Sequence, residues 1–450
     1  MDPIEQKIDR RHNLIAMLLI GAAIVIGGGG SPAAYPELAL QLWSAALLAA
    51  WALLSPEPLP QVSRPAWLIA GLLLLLPAIQ LVPLPPALWH QLPGRELERA
   101  ALALVGQENS WRPWSLTPAR TMASLLALVT PVIMLVFTAS LRRAGRGMVL
   151  GMIAGTALLA LIVGAGQMGG GDANVFRFYV PDMSYLNGFQ ANHNSAADVL
   201  MIGMVAFAAV VREGAERGKF PARPAYLLAA VGGAALLFSV GVVLTASRAG
   251  TALLPVALAW VVVIVWPWLH FTRRNLIALG LLALLAGAAV FYLIETNGVL
   301  ARVLSRYAFA GEFRPQLWAD TLYAAQQYFP MGTGLGSFTP VFIAIERLEV
   351  VDVTMPNRAH SDGLELLLEG GVFGLLILAV IATILFRKFL RALKNPPTGG
   401  RAPVYFAGAA LSIIALHSQV DYPLRSMSLA CLAAAAAGML MPLARQRAIA

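Results

Sequence analysis

Residues 226–268 read YLLAAVGGAALLFSVGVVLTASRAGTALLPVALAWVVVIVWPW, and in all that length the one charged side chain is Arg248. Two apolar runs, 226–244 and 249–268, flank the short polar break TASRAG. A helix needs about 20 mostly apolar residues to cross a bilayer, and each run is long enough. An arginine inside hydrocarbon costs on the order of 3 kcal/mol unless it is paired or reaches the surface, so the break belongs at a membrane edge. Ten further runs of the same kind lie outward from this pair, at 14–28, 38–54, 66–82, 121–140, 147–168, 194–211, 276–294, 371–386, 404–417 and 424–443. The fold expected is an all-α polytopic membrane protein of about 12 transmembrane helices, forming a single integral membrane domain over residues 1–450.

Composition agrees. The chain is 58% hydrophobic and 12% charged, with a mean hydropathy of +0.72. Soluble domains carry roughly 45–50% apolar and about 25% charged residues, so a soluble enzyme, a secreted scaffold and a disordered chain are excluded. The single cysteine, Cys431, rules out a disulfide framework or a thiolate metal site. The first run follows Lys7, Arg10 and Arg11 as a signal peptide would, but with so many spans behind it an uncleaved first helix is expected.

The net charge of +9 is explained by topology. With both termini in the cytoplasm and the twelve spans alternating, the inner side holds 20 of the 32 basic residues, every lysine among them, and 6 of the 23 acids. The outer side is then −5 and the inner side +14. This is the positive-inside distribution, and no nucleic acid partner is needed to account for the basic residues. Three long segments fall outside. Residues 83–120 carry Trp89, Trp111 and Trp114 and an amphipathic stretch around Glu96–Leu104 suited to the interface. Residues 169–193 are glycine-rich, and residues 295–370 form the longest connection, expected to bear active-site residues.

Several outer residues can carry chemistry, and each also has a plainer reading. Arg248 is suited to clamp an anion, or simply snorkels to headgroups. Arg314, in GEFRPQLW before a helix expected through Ala325, has Arg302 and Arg306 nearby in the same segment. Such a cluster can gather onto an anion, although an exposed loop arginine is unremarkable by itself. The run GTGLGS at 332–337 resembles a phosphate loop but has the wrong spacing and no strand–helix unit, so a tight packing turn is the better account. In HSDGLELLLEG, residues 360–370, helical spacing puts Asp362, Glu365 and Glu369 on one stripe, with His360 at or just before the helix start. A neutral imidazole there is a general-base candidate, or a structural histidine. His417, Asp421 and Arg425 mark another outer turn, either a hydrogen-bonded cap or support for the same site. No close H-x-x-x-H or H-E-x-x-H pair suggests a metal, and none is expected.

In order along the chain, TASRAG at 245–250, RPQLW at 314–318, PMGTGLGSF at 330–338 and HSDGLEL at 360–366 resemble the motifs of the bacterial O-antigen ligase and O-antigen polymerase superfamily. Asn192-His-Asn194-Ser-Ala-Ala resembles another of its patterns, and Gln80-Leu-Val-Pro-Leu-Pro85 and His417-Ser-Gln-Val-Asp421-Tyr-Pro resemble features of one branch. Ser361 departs from the His-Asn that ligases commonly show. The resemblance implies a GT-C-like glycosyltransferase of the bacterial inner membrane. Its donor would be a glycan on undecaprenyl diphosphate, and its acceptor lipid A-core for a ligase or the growing glycan for a polymerase. It implies essential roles for Arg248, Arg314 and His360, no cofactor, membrane lipids as surroundings and an active site on the periplasmic face. Asn192, Asn194, Asp362, His417, Asp421 and Arg425 are then candidates for holding donor or acceptor. Two guanidinium groups can stabilise a departing diphosphate without a metal, while the histidine takes the acceptor's proton, with inversion at the anomeric carbon. A transporter is the competing class, since twelve spans suit one. Against it, the spans show almost no ionisable residues at mid-depth, and the two halves show no repeat.

Overall fold

The computed structural model describes residues 3–29, 34–54, 62–169, 178–179, 185–220, 223–269, 305, 307, 314–347, 349, 351 and 355–443. The expected span 276–294 lies outside them, as do Arg302, Arg306 and most of 170–184. In chain order the helices are α1 (Pro3–Ile26), α2 (Ala34–Leu54), α3 (Arg64–Gln80), α4 (Pro86–Trp89), α5 (Glu96–Ala103), α6 (Pro118–Ser140), α7 (Arg143–Gly169), α8 (His193–Glu216), α9 (Pro224–Leu244) and α10 (Arg248–Val265). There follow α11 (Arg314–Gln327), α12 (Phe338–Ile345), α13 (Asp362–Lys394), α14 (Ala402–His417) and α15 (Met427–Met439). Each of the other eleven apolar runs overlaps one of these helices. Seven of the helices are long and apolar enough to cross a membrane, and α3, α14 and α15 are shorter apolar helices. Two-residue strands, β1 (Pro83–Leu84) and β2 (Arg112–Pro113), pair antiparallel and close the loop that holds α4 and α5.

Helix α8 is the central staff of the bundle, buried along most of its length against α7, α9, α10 and α14. The outer helices leave apolar faces uncovered, as lipid-facing helices do, for example Leu236, Leu237 and Val240 of α9. One end of the bundle is tied by arginines. Arg146 is fully buried and donates to the carbonyls of Leu141 and Met441 at 3.0 and 2.9 Å and to that of Met439, joining the end of α6 to the end of α15. Arg143 meets Glu213 at 2.6 Å, and Arg212 donates to Ile264 O at 2.6 Å. A buried guanidinium persists only when its donors are taken up in this way.

The opposite end collects the polar turns. Ser428 N donates to Gly27 O, Ala191 N to Gly28 O, Leu186 N to Leu244 O, and Asp362 N to Ser418 O, all between 2.8 and 3.1 Å. Helix α13 begins nine residues ahead of its apolar run and is kinked at Gly371, where φ is +57° and ψ −151° and the backbone is not helical. Only glycine suits that position, because a Cβ would strike the backbone of Pro330 and Met331. The 332–337 turn packs here rather than standing open. Thr333 N donates to Leu368 O, Gly334 N to Glu369 O, and Leu335 N to Gln80 Oε1, which spends the amides a phosphate would need.

Candidate active site

Three helices begin at this polar end on side-chain caps, which fixes where their first residues sit. Asn192 Oδ1 accepts from Asn194 N at 2.8 Å to open α8. Ser247 Oγ accepts from Gly250 N at 2.9 Å to open α10, with Arg248 as its first residue. Ser361 Oγ accepts from Leu364 N at 3.4 Å to open α13. Such caps are worth about 1 kcal/mol each and, more to the point here, set the exit direction of the preceding residue. The residues before two of them, Ala246 (φ +53°) and His360 (φ +48°), are the two non-glycine residues with left-handed backbone among the described residues. That conformation costs energy and persists where surrounding contacts hold it, often at functional sites.

A line of hydrogen bonds joins these helix starts. His360 Nδ1 lies 3.0 Å from Asp421 Oδ1, so the carboxylate receives the Nδ1 proton and Nε2 becomes the basic nitrogen. Asp421 Oδ2 accepts from Asn194 Nδ2 at 2.7 Å, and Asn194 Oδ1 accepts from Ser247 Oγ at 2.6 Å. The Tyr422 ring packs edge-on against His360 at 4.9 Å, and its hydroxyl lies 3.4 Å from Asn192 Nδ2. Trp318, one turn after Arg314 in α11, donates from Nε1 to His360 O at 3.2 Å. His360 is thereby held from three sides while remaining partly open, with 17% of its side chain exposed. Asp421 is almost fully buried. Burial alone would raise its carboxyl, but the His360 hydrogen bond and the nearby His417 imidazole hold it below the ordinary carboxylate range.

Behind Asp421 stands a second imidazole. His417 Nδ1 is 2.7 Å from Asp198 Oδ2, and its Nε2 is 3.8 Å from Asp421 Oδ2. Asp198 and His417 are both buried. Arg314 lies within electrostatic reach of His417, which brings the start of α11 to the same centre. Arg248 is exposed at the head of α10, directly after Ser247.

The acids of α13 form an adjoining cluster. Arg425 donates from Nη2 to Glu369 Oε2 at 2.7 Å and lies 3.3 Å from Glu365 Oε1, while Arg358 meets Glu365 at 2.8 Å. Asp362 Oδ2 accepts from Ser418 Oγ at 2.7 Å and from Leu424 N at 3.2 Å, and Asp362 N donates to Asp421 O at 3.2 Å. The two clusters therefore share the turn after α14.

All nine of the sequence-derived candidates lie at this end. His360, Asp421, Asn194, Asn192 and His417 join one network, Asp362 and Arg425 the other, and Arg248 and Arg314 start helices beside the first. Sequence reasoning missed Asp198, Ser247, Ser418, Trp318 and Arg358. Asp198 had a legible signal, since it falls one helical turn after Asn194 and is the one acid in an otherwise apolar stretch. Among the described residues, no three His, Cys, Asp or Glu side chains are arranged to hold a metal ion.

The family model described as O-Antigen ligase matches residues 233–379, about a third of the chain. No curated protein matches the chain. The matched segment contains Arg248, Arg314 and His360, whereas Asn194, Asp198, His417 and Asp421 come from outside it. Over residues 233–379 the chain is thus similar to the O-antigen ligase family.

Proposed function

We propose that the protein transfers a glycan from undecaprenyl diphosphate to an acceptor hydroxyl at the periplasmic face of the inner membrane, acting as an O-antigen ligase with lipid A-core as acceptor. The observation that carries this is the hydrogen-bonded line Ser247–Asn194–Asp421–His360. It gives one imidazole a fixed tautomer beside the helix that starts with Arg248. The family match supports glycosyl transfer from lipid-linked glycans in general.

In the proposed reaction the acceptor hydroxyl gives its proton to His360 Nε2 as its oxygen bonds to the anomeric carbon. The bond from that carbon to the diphosphate oxygen breaks, and undecaprenyl diphosphate leaves with the electron pair. Arg248 and Arg314 meet the charge that develops on it with guanidinium N–H groups, whose planar fork suits phosphate oxygens. Attack opposite the leaving group inverts the configuration. Asp421 keeps Nδ1 protonated and stabilises the imidazolium once it forms. Asn194 and Ser247 hold Asp421 in place.

The test is reconstitution of the full chain with lipid-linked glycan and lipid A-core, in EDTA. The expected result is glycosylated lipid A-core and released undecaprenyl diphosphate, with His360→Ala inactive. Product that stays on undecaprenyl would make the enzyme a polymerase. Turnover that required added magnesium or manganese would refute the arginine clamp.

A further inference from the structure

Two buried titratable side chains at the polar end take no part in the proposed reaction. Asp198 of α8 and His417 of α14 are 0% and 1% exposed, so neither can touch a substrate, although the family resemblance makes His417 a candidate for holding one. Their geometry fixes where the hydrogens sit. His417 Nδ1 lies 2.8 Å from Asp198 Oδ1 and 2.7 Å from Asp198 Oδ2. Two oxygens equally close are what an N–H shared across a carboxylate gives. A protonated carboxyl donating to a bare nitrogen would bring one oxygen near and leave the other further off. Nδ1 therefore carries a hydrogen.

On the other side of the ring, His417 Nε2 has no hydrogen-bond partner among the described residues and lies 3.8 Å from Asp421 Oδ2. A bare Nε2 would turn its lone pair on a buried carboxylate, two acceptors facing each other with no hydrogen between them. Hydrogen on both nitrogens instead makes the ring a cation between two anions, and buried carboxylates persist when they are paired in this way. The charged groups around the ring are Asp198 from α8, Asp421 from the turn after α14 and Arg314 from α11, and of these Arg314 alone opposes a positive charge. Of the other elements packed on α14, α10 brings Arg248 to this end and α13 brings Asp362, bonded to Ser418. The turn before α15 brings Arg425, ion-paired to Glu365 and Glu369.

We propose that Asp198 and His417 are positioning residues for the base: Asp198 holds the buried ring as an imidazolium, and the ring's charge keeps Asp421 ionised and facing His360 Nδ1. A carboxylate bonded to an imidazole draws protons onto it, whereas a general base has to be empty at its working pH. A cation on the far side of the carboxylate offsets that draw while leaving the carboxylate to fix the tautomer. This rests on the general-base reading of His360.

The first measurement needs no turnover. The full chain has six histidines. Their ring nitrogens are isotopically labelled and observed in lipid by solid-state magnetic resonance, at a pH about one unit above the ordinary imidazole value of about 6.5. The ring whose signal disappears in His417→Gln should carry hydrogen on both nitrogens, and in Asp198→Asn it should lose one of them. A wild-type spectrum without such a ring, or a bare nitrogen at His417, overturns the proposal. The second measurement is the pH dependence of the single-turnover rate with lipid-linked donor and acceptor. His417→Gln and Asp198→Asn each remove the cation and keep a polar side chain of similar size. Each should move the acid limb upward by about one pH unit, as losing an opposite charge a few ångströms away does. The rate should fall about tenfold on the acid side and progressively less toward alkaline pH. A purely structural defect lowers the rate equally at every pH. That result, an unmoved limb or a limb moved downward overturns the positioning role. A normal rate in His360→Ala would strike the general-base reading, while the nitrogen signals would still report the charge on His417.

Discussion

Replacing Asp421 by asparagine should disable His360 without moving it, because the hydrogen-bond line has a fixed direction. Ser247 Oγ accepts from Gly250 N, so its own proton goes to Asn194 Oδ1. Asn194 must then present its NH₂ to residue 421. An asparagine at 421 has one acceptor, which Asn194 claims, so its NH₂ faces His360 Nδ1. Nδ1 becomes the acceptor and the proton moves to Nε2, leaving no base toward the substrate. Turnover should fall about 10²–10⁴-fold, the usual worth of a general base, or roughly 3–5 kcal/mol on the barrier. Donor binding should be near normal. The reciprocal exchange, Asp421→Asn with Asn194→Asp, reverses the line. The carboxylate now at position 194 can accept both from Ser247 and from the new amide at position 421, whose carbonyl again receives the Nδ1 proton. The double variant should recover at least about tenfold over the single one, since the tautomer is restored while the charge sits one residue further off. Single-turnover rates with lipid-linked donor, on protein that is fully folded at the assay temperature, are the assay. Asp421→Asn within about threefold of wild type, or a double variant no better than the single, would refute the tautomer argument.

Lysine in place of Arg248 or Arg314 should cost about a hundredfold in rate, because a point charge lacks the planar fork; a fully active Arg248→Lys would reduce that role to nonspecific charge. The Asp421 carboxyl is held below its ordinary value in the folded protein, so its stabilising share is complete above the unfolded value of about 4 and is lost as pH falls through the lower folded value. The gap in melting temperature between wild type and Asp421→Asn should therefore narrow between neutral pH and strong acid, and a constant gap would contradict it. Alkaline phosphatase fused near Glu349 should be active and green fluorescent protein fused there dark, and the reverse would place the site on the cytoplasmic side.

The helices were legible because lipid imposes length and apolarity on each one separately, as in 226–244 and 249–268. The stripe of Asp362, Glu365 and Glu369 was legible too, since helical periodicity is local. What sequence did not reveal was which turns meet. His360 and Asp421 are 61 residues apart and His417 and Asp198 are 219 apart, and nothing in the spacing sets one turn opposite another. Arg425 reads in sequence as a site arginine, but its guanidinium faces the carboxylates of α13, a pairing that depends on how the 423–425 turn sits against α13. The His360–Asp421 contact likewise waits on the cap at Ser361 and the left-handed backbone at residue 360, which hydropathy does not register.

The pairing of Asp198 with His417 has a consequence for biosynthesis. The acid enters the bilayer with α8, and its partner is made 219 residues later. At elongation rates of about 5–20 residues per second, the interval is roughly 10–40 seconds. For that time a helix destined for the centre of the bundle carries an unaccompanied carboxyl in lipid, at a cost of up to about 3 kcal/mol. The nascent chain is thus least at ease midway through translation and settles only when α14 arrives. Ribosomes stalled before residue 417 should leave α8 loosely held and exposed to membrane quality-control proteases.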